Sequence, residues 1–133
     1  MLKQSVKNKL HEGTVIPAQP LALTPDKQLD EARQRALTRY YMDAGAGGMA
    51  VGVHTTQFEI RDPQFNLFEK VLRMAIEETE KADAPESFIK IAGICGPVEQ
   101  AVKEAQYSKG IGYDLGLLSM GGLDDYTEDE LIE

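Results

Sequence analysis

Cysteine and tryptophan are nearly absent from this sequence, which has one cysteine and no tryptophan. The lone Cys95 cannot form an internal disulfide, and it suits a reducing compartment. The chain also lacks an apolar run of about 18 residues that could span a membrane. Its N-terminus, MLKQSVKNKL, lacks the apolar stretch of a secretory signal. These absences predict a cytoplasmic protein with no membrane partner.

Basic residues and histidines are too few and too scattered for a nucleic-acid surface or a metal centre. The formal net charge is −8, and six of the 22 acidic residues lie in the last ten positions, so the rest of the chain is nearly neutral. Without a basic stripe or an aromatic stacking platform, no nucleic-acid partner is expected. The two histidines lie far apart, and no carboxylate cluster follows a strand. We therefore predict no metal site.

What the sequence does have is an alternation of strand-like and helix-like segments, in a length that suits one domain. Short apolar runs predict four strands, over residues 15–23, 47–56, 88–96 and 113–119. Amphipathic stretches predict helices between these strands and a short helix over residues 2–11. Strands that alternate with helices indicate a parallel α/β sheet. No G-x-G-x-x-G loop follows a strand, so no cofactor is predicted.

Individual residues refine the boundaries of these segments. Pro17 and Pro20 lie in the first predicted strand, so that strand should be irregular or paired on one side only. Asp30 favours a helix N-terminus, and Asp62, which precedes a proline, is interpreted as the cap of the next helix. Gly110 is predicted to end the third long helix. The spacing Thr127-x-x-Glu130 predicts a capping box that begins a last helix.

The order and spacing of several local motifs resemble the N-terminal part of the dihydrodipicolinate synthase and N-acetylneuraminate lyase family. An apolar strand runs into Leu23-Thr24-Pro25, a helix ends in Ala44-Gly45, and a second strand ends in Thr55-Thr56. The segment IKIAGICGPVEQAVKEAQYSKGIGYDLGLLS then matches the pattern of an apolar strand that ends in glycine, a helix, and Gly-x-Asp before a fourth strand. The resemblance covers residues 13–133.

The resemblance implies a fold and an activity. The family is a (β/α)₈ TIM barrel roughly twice as long as this chain. Residues 13–133 would then be its first half, with four parallel strands and the start of the fourth helix, and residues 1–12 an N-terminal helical extension. Members are Schiff-base lyases and aldolases that act on pyruvate or related 2-keto acids without a cofactor. The complete protein is expected to be a homo-oligomer, with its reactive lysine in the half that is not here.

The chain departs from the family pattern at two places. The family's Gly-Thr-Thr-Gly-Glu after the second strand reads His54-Thr55-Thr56-Gln57-Phe58 here. After the fourth strand, the family often has Pro-Tyr-Tyr, and this chain has Met120-Gly121-Gly122. The tyrosine of that segment belongs to the family's proton relay, which therefore lacks its usual group in this half. These departures indicate a divergent branch.

The candidate binding residues form the end of the second predicted strand. By resemblance, Thr55 and Thr56 would hold the carboxylate of the keto acid, and hydroxyl and backbone N–H groups can do so without adding charge. From the residues alone, the threonines could instead close the strand and cap the next turn. His54 could orient a substrate or act as an acid or base, or it could be a hydrogen-bonded wall residue.

Two functions from different classes remain open at this point. The first is the N-terminal part of a Schiff-base lyase, and the second is a non-catalytic half-barrel that serves as a binding or assembly module. None of the nine lysines is predicted to lie beside the threonine pair. Lys27 alone follows a strand end, but it lies in a polar turn where its ammonium stays charged. No catalytic residue is therefore predicted within this chain.

Overall fold

Three parallel strands form the centre of the computed structural model, which describes residues 1–120 and 126–132. They are β1 (Gly48–Val51), β2 (Ile89–Ile94) and β3 (Leu115–Leu118), and they lie in sequence order with β2 in the middle. The helices are α1 (Gln4–Glu12), α2 (Glu31–Asp43), α3 (Phe68–Lys81), α4 (Val98–Ile111) and α5 (Glu128–Ile132). Two 3₁₀ turns, His54–Thr56 and Phe58–Arg61, connect β1 to α3.

The prediction of four strands is wrong, because the described residues form a sheet of three. The first predicted strand is joined to β1 by a single isolated parallel bridge, between Ala18 and Ala50, and its last residue, Leu23, forms a separate antiparallel bridge with Leu29. Gln19 N donates to Ala50 O at 2.8 Å, and Ala50 N donates to Pro17 O at 2.9 Å. Pro17 and Pro20 have no N–H groups, so the segment cannot extend this ladder. It still lies beside β1 and covers that edge of the sheet.

Apolar residues of the sheet and of α3 build the core. Met49 and Val51 on β1 and Ala92 on β2 are fully buried, and they pack with Val71 and Leu72 of α3. The buried side chains of α3 recur at helical spacing, as the amphipathic pattern predicted. This packing fixes the position of the three strands, and with it the edge at which their C-terminal ends meet.

The helix starts were predicted with mixed success. Asp30 caps α2 as predicted, since its carboxylate accepts from Arg33 N. The prediction that Asp62 caps the next helix is wrong: Asp62 Oδ1 accepts from Gln64 N at 2.8 Å and closes a turn instead. Asn66 has a φ of 47°, a left-handed conformation that no α-helix continues through. The helix α3 therefore begins only at Phe68.

Of two further helix boundaries, one differs from its predicted place and the other confirms its prediction. The helix α4 does not end at Gly110; it runs to Ile111 and ends at Gly112, whose φ is 108°. The capping box at the start of α5 is confirmed, because Glu130 Oε2 accepts from Thr127 N at 2.9 Å and Thr127 Oγ1 accepts from Glu130 N at 3.4 Å. Gly121 and Gly122 lie outside the described residues.

The second predicted strand is shorter than expected. It ends at Val51, because Gly52 adopts a φ of 75° and turns the chain out of the sheet. His54, Thr55 and Thr56 consequently lie in a 3₁₀ turn that follows the strand. A polar 3₁₀ turn at a strand end exposes some of its side chains and buries others, and this difference shapes the candidate site.

Candidate functional site at the carboxyl ends of the strands

The carboxyl ends of β1, β2 and β3 meet at one edge of the sheet, where ligands bind in parallel α/β folds. A pocket of about 310 Å³, here called the threonine pocket, opens between these ends. Its lining includes His54, Thr55, Phe58, Leu117 and Ser119. The structure therefore brings two of the three predicted site residues, His54 and Thr55, to one pocket at the expected edge.

His54 and Thr55 are both exposed on the wall of the threonine pocket. The imidazole of His54 packs edge-on against the ring of Phe58, with 5.8 Å between the ring centroids. This contact limits the directions in which the imidazole can point. Thr55 lines the same pocket, so a polar ligand there meets Thr55, His54 and Ser119 among mostly apolar side chains.

Thr56 is placed differently from its neighbour. It is fully buried, and its Oγ1 donates to Gln19 O at 2.6 Å while it accepts from Gly52 N at 3.0 Å. The single hydroxyl proton is therefore used to join the turn after β1 to the segment beside it. A ligand role for Thr56 requires that this hydrogen bond open, and Thr55 needs no such change.

A buried arginine, Arg61, forms a second cluster that the sequence analysis does not predict, next to the Asp62-Pro63 pair in the sequence. Its Nε donates to Glu104 Oε1 at 2.8 Å, and both side chains are 8% exposed. Its Nη2 donates to Gly52 O at 2.9 Å and to Gly93 O at 3.0 Å. Arg61 thereby connects the end of β1, the end of β2 and helix α4 with one guanidinium group.

Glu104 extends this cluster along α4. Its Oε1 also accepts from Gln100 Nε2 at 2.9 Å, and its Oε2 accepts from Cys95 N at 3.1 Å. We call Arg61, Glu104, Gln100 and Cys95 the arginine cluster. One signal could have revealed it: Glu104 and Ser108 lie four residues apart on the buried face of α4, where apolar residues are the rule.

The arginine cluster lies beside a second pocket of about 310 Å³, here called the arginine pocket. Its lining comprises Phe58, Arg61, Cys95, Gly96, Pro97, Gln100 and Ser119. The two pockets share Phe58 and Ser119, so they are neighbours along the same edge of the sheet. Cys95 is buried, as predicted, and burial raises the pKa of its thiol although nearby Arg61 opposes that shift.

No lysine lines either pocket in the part of the chain that the structure describes. Lys90 lies near the start of β2, at the opposite end of the sheet, with its Nζ 3.5 Å from Asp114 Oδ2. Lys27 lies in a turn with a φ of 60°. Within residues 1–120 and 126–132, no group of three or more histidine, cysteine or carboxylate side chains is placed to hold a metal ion, and no helix is long and apolar enough to cross a membrane.

The fold has counterparts among solved structures, although no model of a protein family and no curated protein sequence matches the chain. Dihydrodipicolinate synthase from Aquifex aeolicus is 23% identical over 79% of this chain and 33% of its own, with a TM-score of 0.65. N-acetylneuraminate lyase from Fusobacterium nucleatum is 21% identical over 81% of this chain and 36% of its own, also with a TM-score of 0.65.

YagE is a third similar structure, a prophage protein of the dihydrodipicolinic acid synthase family from E. coli K12, solved in complex with pyruvate. It is 19% identical over 78% of this chain and 34% of its own, with a TM-score of 0.61. The chain spans about a third of the length of these three proteins. The likeness confirms the resemblance predicted from the sequence at the level of the fold: the chain has the fold of the N-terminal part of these lyases and synthases.

Proposed function

We propose that the protein carrying this sequence is a Schiff-base lyase or aldolase that acts on pyruvate or a related small 2-keto acid. The observation that carries the proposal is the threonine pocket, because it lies at the carboxyl ends of the parallel strands and presents Thr55 and His54 to a ligand. The fold is similar to that of dihydrodipicolinate synthases and of YagE, which was solved with pyruvate. The arrangement suits a keto acid held by its carboxylate.

In this proposal, residues of this chain bind and orient the substrate. The hydroxyl of Thr55 donates to a carboxylate oxygen, and the imidazole of His54, held against Phe58, borders the rest of the ligand. Thr56 acts mainly by fixing the turn that carries Thr55. The lysine whose amine condenses with the keto group, with loss of water, belongs to a strand of the complete TIM barrel that this sequence does not contain.

The exposed apolar side chains beside β3 support the idea that further structure completes the barrel. Leu117 and Leu118 on β3, and Val98 and Val102 on α4, are all exposed in this chain. Within the described residues, no strand pairs with the edge of β3 that faces away from β2, so a further strand could pair there. We propose that the complete protein closes this edge in a barrel, and that it assembles into a homo-oligomer in the cytoplasm.

Replacing Thr55 by valine in the full-length protein should weaken pyruvate binding by about 1–3 kcal/mol, because a buried carboxylate oxygen loses a donor while the shape is kept. Thr55→Ser retains the hydroxyl and is the matched control, which should bind nearly as well as the unaltered protein. Isothermal titration with pyruvate measures both affinities. Equal affinity in the Thr55→Val variant would show that Thr55 does not hold the keto acid.

Borohydride reduction in the presence of pyruvate tests the chemistry itself. The full-length protein should be trapped as one stoichiometric adduct on a lysine outside residues 1–133, because no lysine of the described part lines the threonine pocket. Residues 1–133 alone should give no saturable adduct. Mass spectrometry of proteolytic peptides locates the modification, and an adduct on Lys27 or Lys90 would contradict the prediction.

The same experiment separates the proposal from its alternative. If the threonine pocket binds pyruvate but borohydride traps no adduct on any lysine of the full-length protein, the protein is a non-catalytic binding or assembly module. Within the described residues, neither pocket is lined by a lysine, and this observation supports the alternative of a non-catalytic module.

A further inference from the structure

His54 is the titratable side chain of the threonine pocket. The other side chains that line this pocket are apolar, apart from those of Thr55 and Ser119, which carry hydroxyl groups. No carboxylate, lysine, tyrosine or cysteine of the described residues lines it. An imidazole gains and loses a proton near neutral pH, and an aliphatic hydroxyl does not. Of the residues described, His54 is therefore the one that can exchange a proton with a ligand in this pocket.

The imidazole of His54 is held in place, and its nitrogens remain open to a ligand. The side chain is exposed on the pocket wall, and its ring packs edge-on against Phe58 with 5.8 Å between the centroids. Within the described residues, neither ring nitrogen has a hydrogen-bond partner. A neutral imidazole carries one nitrogen that accepts a proton, so the group is available as a base.

The turn that carries His54 is fixed by hydrogen bonds. Gln57 N donates to His54 O at 3.0 Å, and Thr56 N donates to Val53 O at 2.9 Å. The buried hydroxyl of Thr56 also accepts from Gly52 N at the end of β1. A base that is positioned in advance loses little freedom when it reacts.

The position of His54 next to Thr55 suits the dimensions of a small keto acid. Neighbouring Cα atoms lie about 3.8 Å apart, and the methyl carbon of pyruvate is joined to its carboxylate carbon through the keto carbon alone. An imidazole beside Thr55 can therefore reach the methyl group when the hydroxyl of Thr55 holds the carboxylate. The charged groups behind Phe58 are Arg61, 5.7 Å from the ring centroid, and its partner Glu104, so no net charge faces His54 from that side.

We propose that His54 is the base that removes a proton from the methyl group of pyruvate, an inference that rests on the proposed function. The step follows condensation of the keto group with the lysine of the complete protein. A methyl C–H bond breaks, its proton moves to the free nitrogen of the imidazole, and its electron pair forms a carbon–carbon double bond. The π electrons of the C=N bond move to the nitrogen of the Schiff base, which loses its positive charge.

Exchange of the methyl hydrogens of pyruvate for deuterium tests this step without any second substrate. Proton NMR in D₂O follows the exchange by the full-length protein. His54→Gln keeps a polar side chain but cannot take up a proton, so exchange should slow by about 100-fold or more. Borohydride should still trap one adduct on this variant. His11→Gln is the matched control, since His11 is exposed on α1, and it should exchange as the unaltered protein does.

Two further readouts distinguish a base from a residue that only shapes the pocket. The exchange rate per trapped adduct should rise with pH between about 5 and 8, where an imidazole loses its proton, and this rise should be absent from His54→Gln. Added imidazole should restore part of the exchange in His54→Ala. A purely structural role predicts neither the lost pH dependence nor the rescue.

The outcomes separate this inference from the function on which it rests. Normal exchange in His54→Gln, with the adduct still formed, overturns the role of His54 and leaves the proposed function standing. Slow exchange that excess pyruvate restores in full also overturns it, because His54 then binds pyruvate and does not act as the base. An unaltered protein that forms no borohydride adduct with pyruvate overturns both proposals.

Discussion

Replacing Arg61 by methionine is expected to lower the free energy of unfolding by about 3–5 kcal/mol. The substitution keeps an apolar side chain of similar length, but it leaves the carboxylate of Glu104 buried without its charged partner. It also removes the donors that hold Gly52 O and Gly93 O together at the ends of β1 and β2. Urea denaturation of the full-length protein, followed by circular dichroism, measures the change.

The double variant Arg61→Met/Glu104→Leu distinguishes an unpaired charge from a general loss of packing. It removes both charges, so most of the lost stability should return. Arg73→Met is the matched control, because Arg73 is exposed on α3 and should cost within about 0.5 kcal/mol. A double variant as unstable as Arg61→Met alone would mean that the contacts to the strand ends, rather than the buried charge of Glu104, set the cost.

The sequence predicted the order of the elements because each of them depends on nearby residues. The amphipathic pattern of α3 and the cap of α2 at Asp30 follow from spacing within a few positions of the chain, and the structure confirms both. The apolar runs around Met49 and Ile91 likewise predicted strands that the structure contains. Local patterns of this kind need no knowledge of distant partners.

The errors have equally specific causes. Pro17 and Pro20 predict an irregular strand, but the sequence does not show how few hydrogen bonds they leave, and a single bridge joins the segment to β1. The left-handed backbone at Asn66 delays the start of α3. The sequence does not signal this conformation distinctly, because asparagine is frequent in turns of several kinds. Gly52 ends β1 early in the same way, and this moved the threonine pair from the strand into a turn.

The candidate site was half predictable for a related reason. Thr55 and His54 are expected at the carboxyl edge because they end a predicted strand, and the structure places them there. The separate roles of Thr55 and Thr56 depend on Gln19, which lies 37 residues away from Thr56 in the sequence. The pairing of Arg61 with Glu104 joins positions 43 residues apart. Contacts over such distances are set by packing of the whole sheet and leave no local pattern.

A second buried carboxylate, Glu78 on α3, should make the free energy of unfolding depend strongly on pH in the acidic range. Burial alone would raise the pKa of Glu78, but hydrogen bonds from Arg39, Lys81 and Arg35 outweigh it and lower the pKa from 4.5 to about 2. Arg39 Nη1 lies 2.6 Å from Glu78 Oε2, and Arg35 Nη1 lies 3.1 Å from Oε1. These contacts join α2 to α3.

The direction of the pH effect follows from the lowered pKa. The folded protein holds Glu78 ionised more readily than the unfolded chain does, so the ion pairs contribute their full stability above about pH 4.5. That contribution is lost as the pH falls from 4.5 towards 2. In this range Glu78 takes up a proton in the unfolded chain before it does so in the folded protein, so each step down in pH favours unfolding. The window lies well below neutral pH.

Glu78→Gln should therefore lower the free energy of unfolding by about 1.5–3 kcal/mol at pH 7, since an amide makes weaker hydrogen bonds to the cations of α2. Near pH 2, most of the difference between the variant and the unaltered protein should be gone, because Glu78 is then neutral in the unfolded chain and about half protonated in the folded protein. Glu80→Gln is the matched control, an exposed glutamate on the same helix that should show no such convergence. Urea denaturation at several pH values measures both differences, and a difference between Glu78→Gln and the unaltered protein that is constant from pH 7 to pH 2 would show that ionisation of Glu78 does not link α2 to α3.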